Sequence, residues 1–170
     1  RKCAHKMVIW IIGCSGVGKT YLSKKLYIKL KSKFKKIIWI DGDKFRKKFS
    51  KDLKFSLRDR KLNSKRIQKH CFNYEKKNYV VICSILSIFK DHQKKNRSLF
   101  SEYIQIFIKA NLLKLKARNN KKVYSNKKNV VGVDLKFPKP YKSSLIISNE
   151  FDNKFLKNIK KIKKLIYEKI

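Results

Sequence analysis

Eight residues near the start of the chain, Gly13-Cys14-Ser15-Gly16-Val17-Gly18-Lys19-Thr20, satisfy the pattern G-x-x-x-x-G-K-[ST] at every fixed position. The 170 residues include only 5 glycines, and three of them, Gly13, Gly16 and Gly18, stand in this stretch. Glycine lets the backbone curl so that successive N–H groups face phosphate oxygens. A helix beginning near Thr20 adds the positive end of its dipole. In this pattern Lys19 reaches the β- and γ-phosphates and the Thr20 hydroxyl ligates Mg²⁺ directly. The expected ligands are a nucleoside triphosphate and Mg²⁺. A glycine turn ahead of a helix is the bland alternative, and the strand-like run before the motif weighs against it. The motif is silent about the acceptor.

A second cluster, Asp41-Gly42-Asp43, closes the next apolar run. Two of 11 acidic residues flank one glycine at the C-terminal end of an expected strand, where open α/β sheets bind ligands. A carboxylate there could hold Mg²⁺ through water, or accept a proton from an attacking hydroxyl. Asp43 could equally cap the short helix that carries Phe45 and Arg46. The third cluster is KDLKFSLRDRKLNSKRI, Lys51 to Ile67. Arg60 and Asn63 share one helix face by spacing, Ser56 suits an N-cap, and Phe55 offers a flat surface for a base. Spacing alone leaves substrate contact and a solvated face equally open.

These residues need a scaffold, and the apolar pattern supplies one. Met7–Ile12, Ile37–Asp41, Tyr79–Ser84, Tyr103–Lys109 and Ser144–Ser148 read as strands that are apolar throughout, as in a parallel sheet covered on both faces. Helices are expected over Thr20–Lys31, Ser56–Asn78, Ile88–Phe100 and Leu112–Arg118. The alternation predicts a three-layer α/β fold. Phe155, Ile159, Ile162 and Ile166 form one apolar face of a last helix, with Lys157, Lys160, Lys161 and Lys164 turned to solvent. That face suits packing on the sheet better than a membrane surface. Residues 119–143 are polar, lysine-rich and aperiodic, and predict an active-site lid at about 119–140. One domain over 7–170 is expected, with RKCAHK before Met7 a leader outside the fold.

Composition narrows the classes. With 42% hydrophobic and 12% aromatic residues the chain is globular. Its net charge of +36 would attract polyanions. The lysines are spread along the chain rather than gathered in a stripe interleaved with aromatics, which favours solvated faces and argues against an obligate nucleic-acid partner. A nucleic-acid-binding P-loop protein is the rival from another class. Cys3, Cys14, Cys71 and Cys83 show neither C-x-x-C pairing nor metal spacing, so reduced thiols in a cytoplasmic protein are expected. The run MVIWII is too short to span a membrane. A homodimer is left open.

Taken in order along the chain, these blocks resemble the adenylylsulfate (APS) kinase family. GCSGVGKT is similar to the family's G-L-S-G-A-G-K-T, IDGDKFR to L-D-G-D-N-V-R, and KDLKFSLRDRKLNSKRI to N-x-x-L-G-F-S-x-x-D-R-x-E-N-x-R-R-I. SILSIFK (Ser84 to Lys90) is similar to S-F-I-S-P-F-R, and RNNKKVY (Arg118 to Tyr124) to R-D-x-K-G-L-Y. The resemblance implies a P-loop kinase fold: a five-stranded parallel sheet between helices, with a short lid. It implies transfer of the γ-phosphoryl group of ATP to the 3′-hydroxyl of a small nucleotide acceptor. Asp43 would then be the base or hydroxyl orienter, and Asp41 would support Mg²⁺ through water. Arg46, Arg60 and Asn63 would grip the acceptor and Phe55 would stack on its base. Leu86 and Ser87, the lid lysine Lys121, and Phe137 in place of a family tyrosine complete the acceptor set. Arg118 would cover the ATP adenine.

The departures fall in the lid. Tyr124 is followed by seven residues, SNKKNVV, before Gly132-Val133-Asp134. The family's F-T-G phenylalanine has no aromatic counterpart, and Val130 or Val131 stands nearest. Loss of one stacking face weakens adenine binding by about 1–3 kcal/mol, and a smaller pyrimidine suits such a pocket. One branch of the family phosphorylates the 3′-hydroxyl of cytidine diphosphoramidate, on the route to phosphoramidate decoration of capsular and other bacterial surface polysaccharides. The altered lid fits that branch, and a true APS kinase is the alternative.

Overall fold

The computed structural model describes residues 5–118, 124, 130–133 and 135–170. Five strands, β1 (Met7–Ile12), β2 (Ile37–Asp41), β3 (Val80–Ile85), β4 (Tyr103–Lys109) and β5 (Leu145–Ser148), form one sheet in the order β2-β3-β1-β4-β5. All four neighbouring pairs are parallel. The connecting helices are α1 (Lys19–Leu30), α2 (Gly42–Phe49), α3 (Leu57–Glu75), α4 (Lys90–Leu99) and α5 (Leu112–Arg118). A 3₁₀ turn (Phe155–Lys157) leads into α6 (Asn158–Tyr167).

Successive side chains of a strand point to opposite faces, so a strand apolar at every position needs cover on both. Met7, Ile9 and Ile11 of β1 share a core with Leu22, Leu26 and Leu30 of α1 and Ile159, Ile162 and Ile166 of α6. Val8, Trp10 and Ile12 share the other core with Phe45 of α2 and Ile67 and Cys71 of α3. The three-layer α/β expectation holds. The four apolar positions of the last segment are all buried, and its four lysines are exposed. That helix is therefore part of the core. No described helix is long and apolar enough to cross a membrane.

The differences from the expected boundaries have local causes. α3 stops at Glu75 rather than Asn78 because Asn78 takes φ 63, the left-handed conformation that ends helices. That reversal also moves the start of β3 from Tyr79 to Val80. Ile88 is 9% exposed and sits ahead of α4, whose N-cap is the extended residue Phe89. Leaving β1, the chain goes first to the β2 edge, fills in β3, and then builds β4 and β5 on the other side of β1. The crevice at the C-terminal ends of these strands is a topological switch point, where this class of sheet binds ligands.

Candidate active site

The phosphate loop spans the turn from β1 into α1. Gly18, the N-cap of α1, has φ 98, which favours glycine. A Cβ there would also lie 3.0 Å from the Phe155 ring. No side chain caps α1, so the N–H groups of its first turn are directed to the loop. Lys19 Nζ donates to the Cys14 carbonyl at 2.7 Å, across the mouth of the loop. Burial raises the pKa of the Cys14 thiol, with Lys19 opposing, so the side chain stays protonated and neutral.

Thr20 Oγ1 donates to Asp41 Oδ2 at 2.6 Å, and Ser84 Oγ donates to the same oxygen at 3.2 Å. The other oxygen, Oδ1, accepts from the N–H groups of Asp43 and Lys44, both at 3.1 Å. Asp41, not Asp43, is therefore the N-cap of α2. A cap needs extended backbone, and Asp41 as the last strand residue has it, whereas Asp43 is already helical. The glycine between the two acids follows from packing: a Cβ on Gly42 would lie 2.9 Å from the Ser84 carbonyl. Hydroxyl and carboxylate oxygens meeting beside a phosphate loop are the hard donors that Mg²⁺ prefers, the phosphates and water completing its shell. Among the described residues no group of three or more His, Cys, Asp or Glu forms a metal cluster.

Asp43 is exposed and close enough to Arg46 and Arg60 to affect both. Burial lowers the pKa of each guanidinium, and Asp43 raises it in partial compensation. Both guanidinium groups stack on the Phe55 ring, at 4.9 Å for Arg46 and 5.4 Å for Arg60. Arg46 donates to the Lys54 carbonyl at 2.6 Å and Arg60 Nε to the Phe55 carbonyl at 3.0 Å. Ser56 caps α3 by accepting from Asp59 N–H at 3.1 Å. Arg66 holds Asp52 through two bonds of 2.6 and 2.8 Å, anchoring the loop that carries Phe55. Asp43, Arg46, Phe55 and Arg60 thus form one cluster. Phe55 keeps 58% of its surface exposed, with the two guanidinium groups lying over its ring.

The helix face left open by spacing is not a solvated one at Asn63. Asn63 is 6% exposed and its Oδ1 has no hydrogen-bond partner. Ser87, fully buried in the loop after β3, likewise has an unpartnered Oγ. Buried polar atoms are normally paired, and these two side-chain oxygens are not. Leu86 is half-buried beside Ser87. Phe137 stacks on Phe107 of β4 at 5.4 Å, with ring planes 14° apart. Lys121 lies outside the described residues. Val130 and Val131 are 4% and 3% exposed, and so offer no open stacking face.

Arg118 ends α5 and lies beside a cavity of about 410 Å³ next to the phosphate loop, lined also by Gly16, Gly18, Asn149, Phe151 and Phe155. Several contacts at this end of the sheet were not foreseen from sequence. Tyr124 Oη donates to the Ser15 carbonyl at 2.6 Å, with burial pushing its pKa up to about 12. Asn149 Nδ2 donates to the Val17 carbonyl at 3.0 Å. The one available signal was position, since Asn149 directly follows β5 and so stands at the ligand-binding end.

Residues 5–148 match the family profile described as adenylylsulphate kinase. The chain belongs to the adenylylsulphate kinase family. A cytidine diphosphoramidate kinase from Campylobacter jejuni subsp. jejuni serotype O:2 is 32% identical, over 96% of this chain and 95% of its own. An adenylyl-sulfate kinase from Paraburkholderia xenovorans is 29% identical, over 86% of each chain. The structure of Mycobacterium tuberculosis APS kinase in complex with AMPPNP and APS superposes with a TM-score of 0.85 at 20% identity. That match covers 96% of this chain and 98% of the other. This adenylylsulphate kinase family member is thus a P-loop kinase with a five-stranded parallel sheet.

Proposed function

We propose that the chain transfers the γ-phosphoryl group of ATP to the ribose 3′-hydroxyl of a small nucleotide, with cytidine diphosphoramidate as the acceptor. The observation that supports this best is the juxtaposition at the ends of β1, β2 and β3. There the Thr20–Asp41–Ser84 hydroxyl and carboxylate cluster adjoins the helix that carries Asp43 and Arg46. Lys19 and the loop N–H groups would hold the phosphates of the donor. Thr20 would ligate Mg²⁺ directly and Asp41 through water. When bound, the cation would neutralise the charge that develops on the phosphoryl group in transfer. Asp43 accepts the proton of the attacking hydroxyl as the new O–P bond forms and ADP leaves. Arg46 and Arg60 hold the acceptor phosphates, Phe55 stacks on its base, and Asn63 and Ser87 offer unpartnered polar atoms to its sugar or base. Most of the rate comes from positioning and fixed charge.

The pyrimidine acceptor is supported by the lid. Val130 and Val131 are buried and Phe137 is stacked on Phe107, which leaves Phe55 to stack on the base. One face suits a small ring, and the 32% identical cytidine diphosphoramidate kinase agrees with it. APS is the second reading, favoured by the 29% identical adenylyl-sulfate kinase and by the exposure of Phe55. The test is ADP release with ATP and Mg²⁺ in the presence of each acceptor. The expected result is a higher kcat/KM for cytidine diphosphoramidate. Preference for APS would reverse the acceptor assignment, and no acceptor-dependent release with either would refute the kinase reading.

A further inference from the structure

The cavity beside the phosphate loop has a wall that the motifs do not identify. Phe151, three residues beyond the end of β5, lines it together with Arg118. The Arg118 guanidinium carbon lies 4.6 Å from the centroid of the Phe151 ring, contact distance for a cation on an aromatic face. Neighbouring bases in a stack lie about 3.4 Å apart, so a base between these two groups would need them about 7 Å apart.

Only one of the two groups is free to move that far. Arg118 is the exposed last residue of α5, on a long side chain. Phe151 is fixed from two sides. Its N–H donates to Asn149 Oδ1 at 2.8 Å, which holds the backbone at φ 63, a left-handed conformation uncommon for a bulky residue. Asn149 in turn donates through Nδ2 to the Val17 carbonyl of the phosphate loop at 3.0 Å. One amide side chain therefore sets the ring in register with the loop. Part of the ring packs on the α1–α6 core, and the rest borders the cavity.

Given the nucleoside triphosphate donor proposed above, we infer that Phe151 is the fixed aromatic wall of the donor-base site. Arg118 lifts from the ring to admit the base and closes over its other face. The ligand class is a purine nucleoside triphosphate, because a larger π-surface gains more from a stacking wall than a pyrimidine does.

The test is equilibrium binding by titration calorimetry. ADP, CDP and inorganic tripolyphosphate, each with Mg²⁺, are titrated into the wild-type chain and into Phe151→Leu, Phe151→Ala and Phe151→Trp. Leu retains the packing of the side chain on the core and removes the aromatic face. Both Leu and Ala are expected to weaken ADP about tenfold, a typical loss for one stacking partner. Tripolyphosphate should stay within about twofold, Trp should restore ADP, and the preference for ADP over CDP should collapse in Leu. Unchanged ADP affinity in a Phe151→Leu chain with an unchanged thermal midpoint would overturn the inference. So would an equal loss for tripolyphosphate, since the ring would then act by supporting the phosphate loop. A folded wild-type chain that binds tripolyphosphate but no nucleotide would refute the donor reading itself, an outcome separate from either.

Discussion

Asp41 turns one carboxylate oxygen to two N–H groups of α2 and the other to the hydroxyls of Thr20 and Ser84. Its acceptor capacity is committed to structure and to the threonine of the phosphate loop. Asp43, two residues on, is exposed and helps keep the Arg46 and Arg60 guanidinium groups charged. The two acids should therefore separate in a mutational test. Asp43→Asn is expected to lower kcat about 10²–10⁴-fold, the range for a lost general base, with the thermal midpoint and ATP binding unchanged. Asp41→Asn should also destabilise the fold by about 1 kcal/mol through its cap, which steady-state kinetics and denaturant melts distinguish. At the same scale, His92 carries a pH dependence. It is buried, with Nδ1 2.9 Å from Ser64 Oγ, and burial lowers its pKa against the pull of Asp91, while Lys61, Lys65 and Lys95 lower it further. His70 is lowered in the same direction by burial and Lys48. In the window between the depressed folded values and about 6.5, the unfolded chain binds more protons than the folded one, so stability rises with pH there. Stability should be full above about pH 6.5 and fall as pH drops through the folded values. Thermal midpoints measured from pH 5 to 8 should show this slope, and His92→Gln should flatten it in part.

At the scale of elements, the loop after β3 and the segment ahead of β5 are joined by one buried side chain. Gln93 of α4 donates through Nε2 to the Ser87 carbonyl at 3.2 Å and accepts from the Tyr141 N–H at 2.7 Å. Gln105 of β4 grips the same segment, donating to the Tyr141 carbonyl at 2.8 Å and to Ser143 Oγ at 3.2 Å. Gln93→Ala should raise KM for the acceptor severalfold and leave the Kd for ADP unchanged, since the phosphate loop belongs to other elements. It should cost about 1–3 kcal/mol through the polar groups left unpaired. Initial rates at varied acceptor concentration, with denaturant melts, check both halves. The same division explains what could be read in the sequence. The strands were legible because burial on both faces writes itself as an unbroken apolar run, and Met7–Ile12 came out with the expected bounds. The cap fell on Asp41 rather than Asp43, and Asp41 also reaches Thr20 and Ser84, whereas the loop GCSGVGKT was legible because it builds its turn within a few residues. Phe151 and Asn149 were not, because their meaning depends on a partner 132 residues away at Val17. No local pattern sets such a distance. The end of α3 was missed for the opposite reason, since a single backbone angle at Asn78 overrides a helix-favouring sequence.

For the whole molecule, charge sets two opposed responses to salt. With 47 basic against 11 acidic residues, one-to-one pairing would still leave an excess of 36 cations. The described ion pairs, Lys61–Asp91, Arg66–Asp52, Lys114–Glu150, Lys164–Glu168 and Lys169–Glu102, are all solvent-facing. Pairs of that kind are each worth about 0–1 kcal/mol. Repulsion among the remaining lysines, spread over every solvated helix face, therefore governs the electrostatics of folding. The screening length shrinks from about 30 Å at 0.01 M to about 10 Å at 0.1 M, so added salt relieves this repulsion, and the thermal midpoint should rise by several degrees over that range. A fold resting on its ion pairs would show the reverse. The field that strains the fold also gathers anionic ligands, so the affinity for ADP should fall over the same range. Thermal melts and ADP titrations in matched NaCl series should thus run in opposite directions. If both quantities fell together, the excess charge would be paired within the native structure rather than solvated.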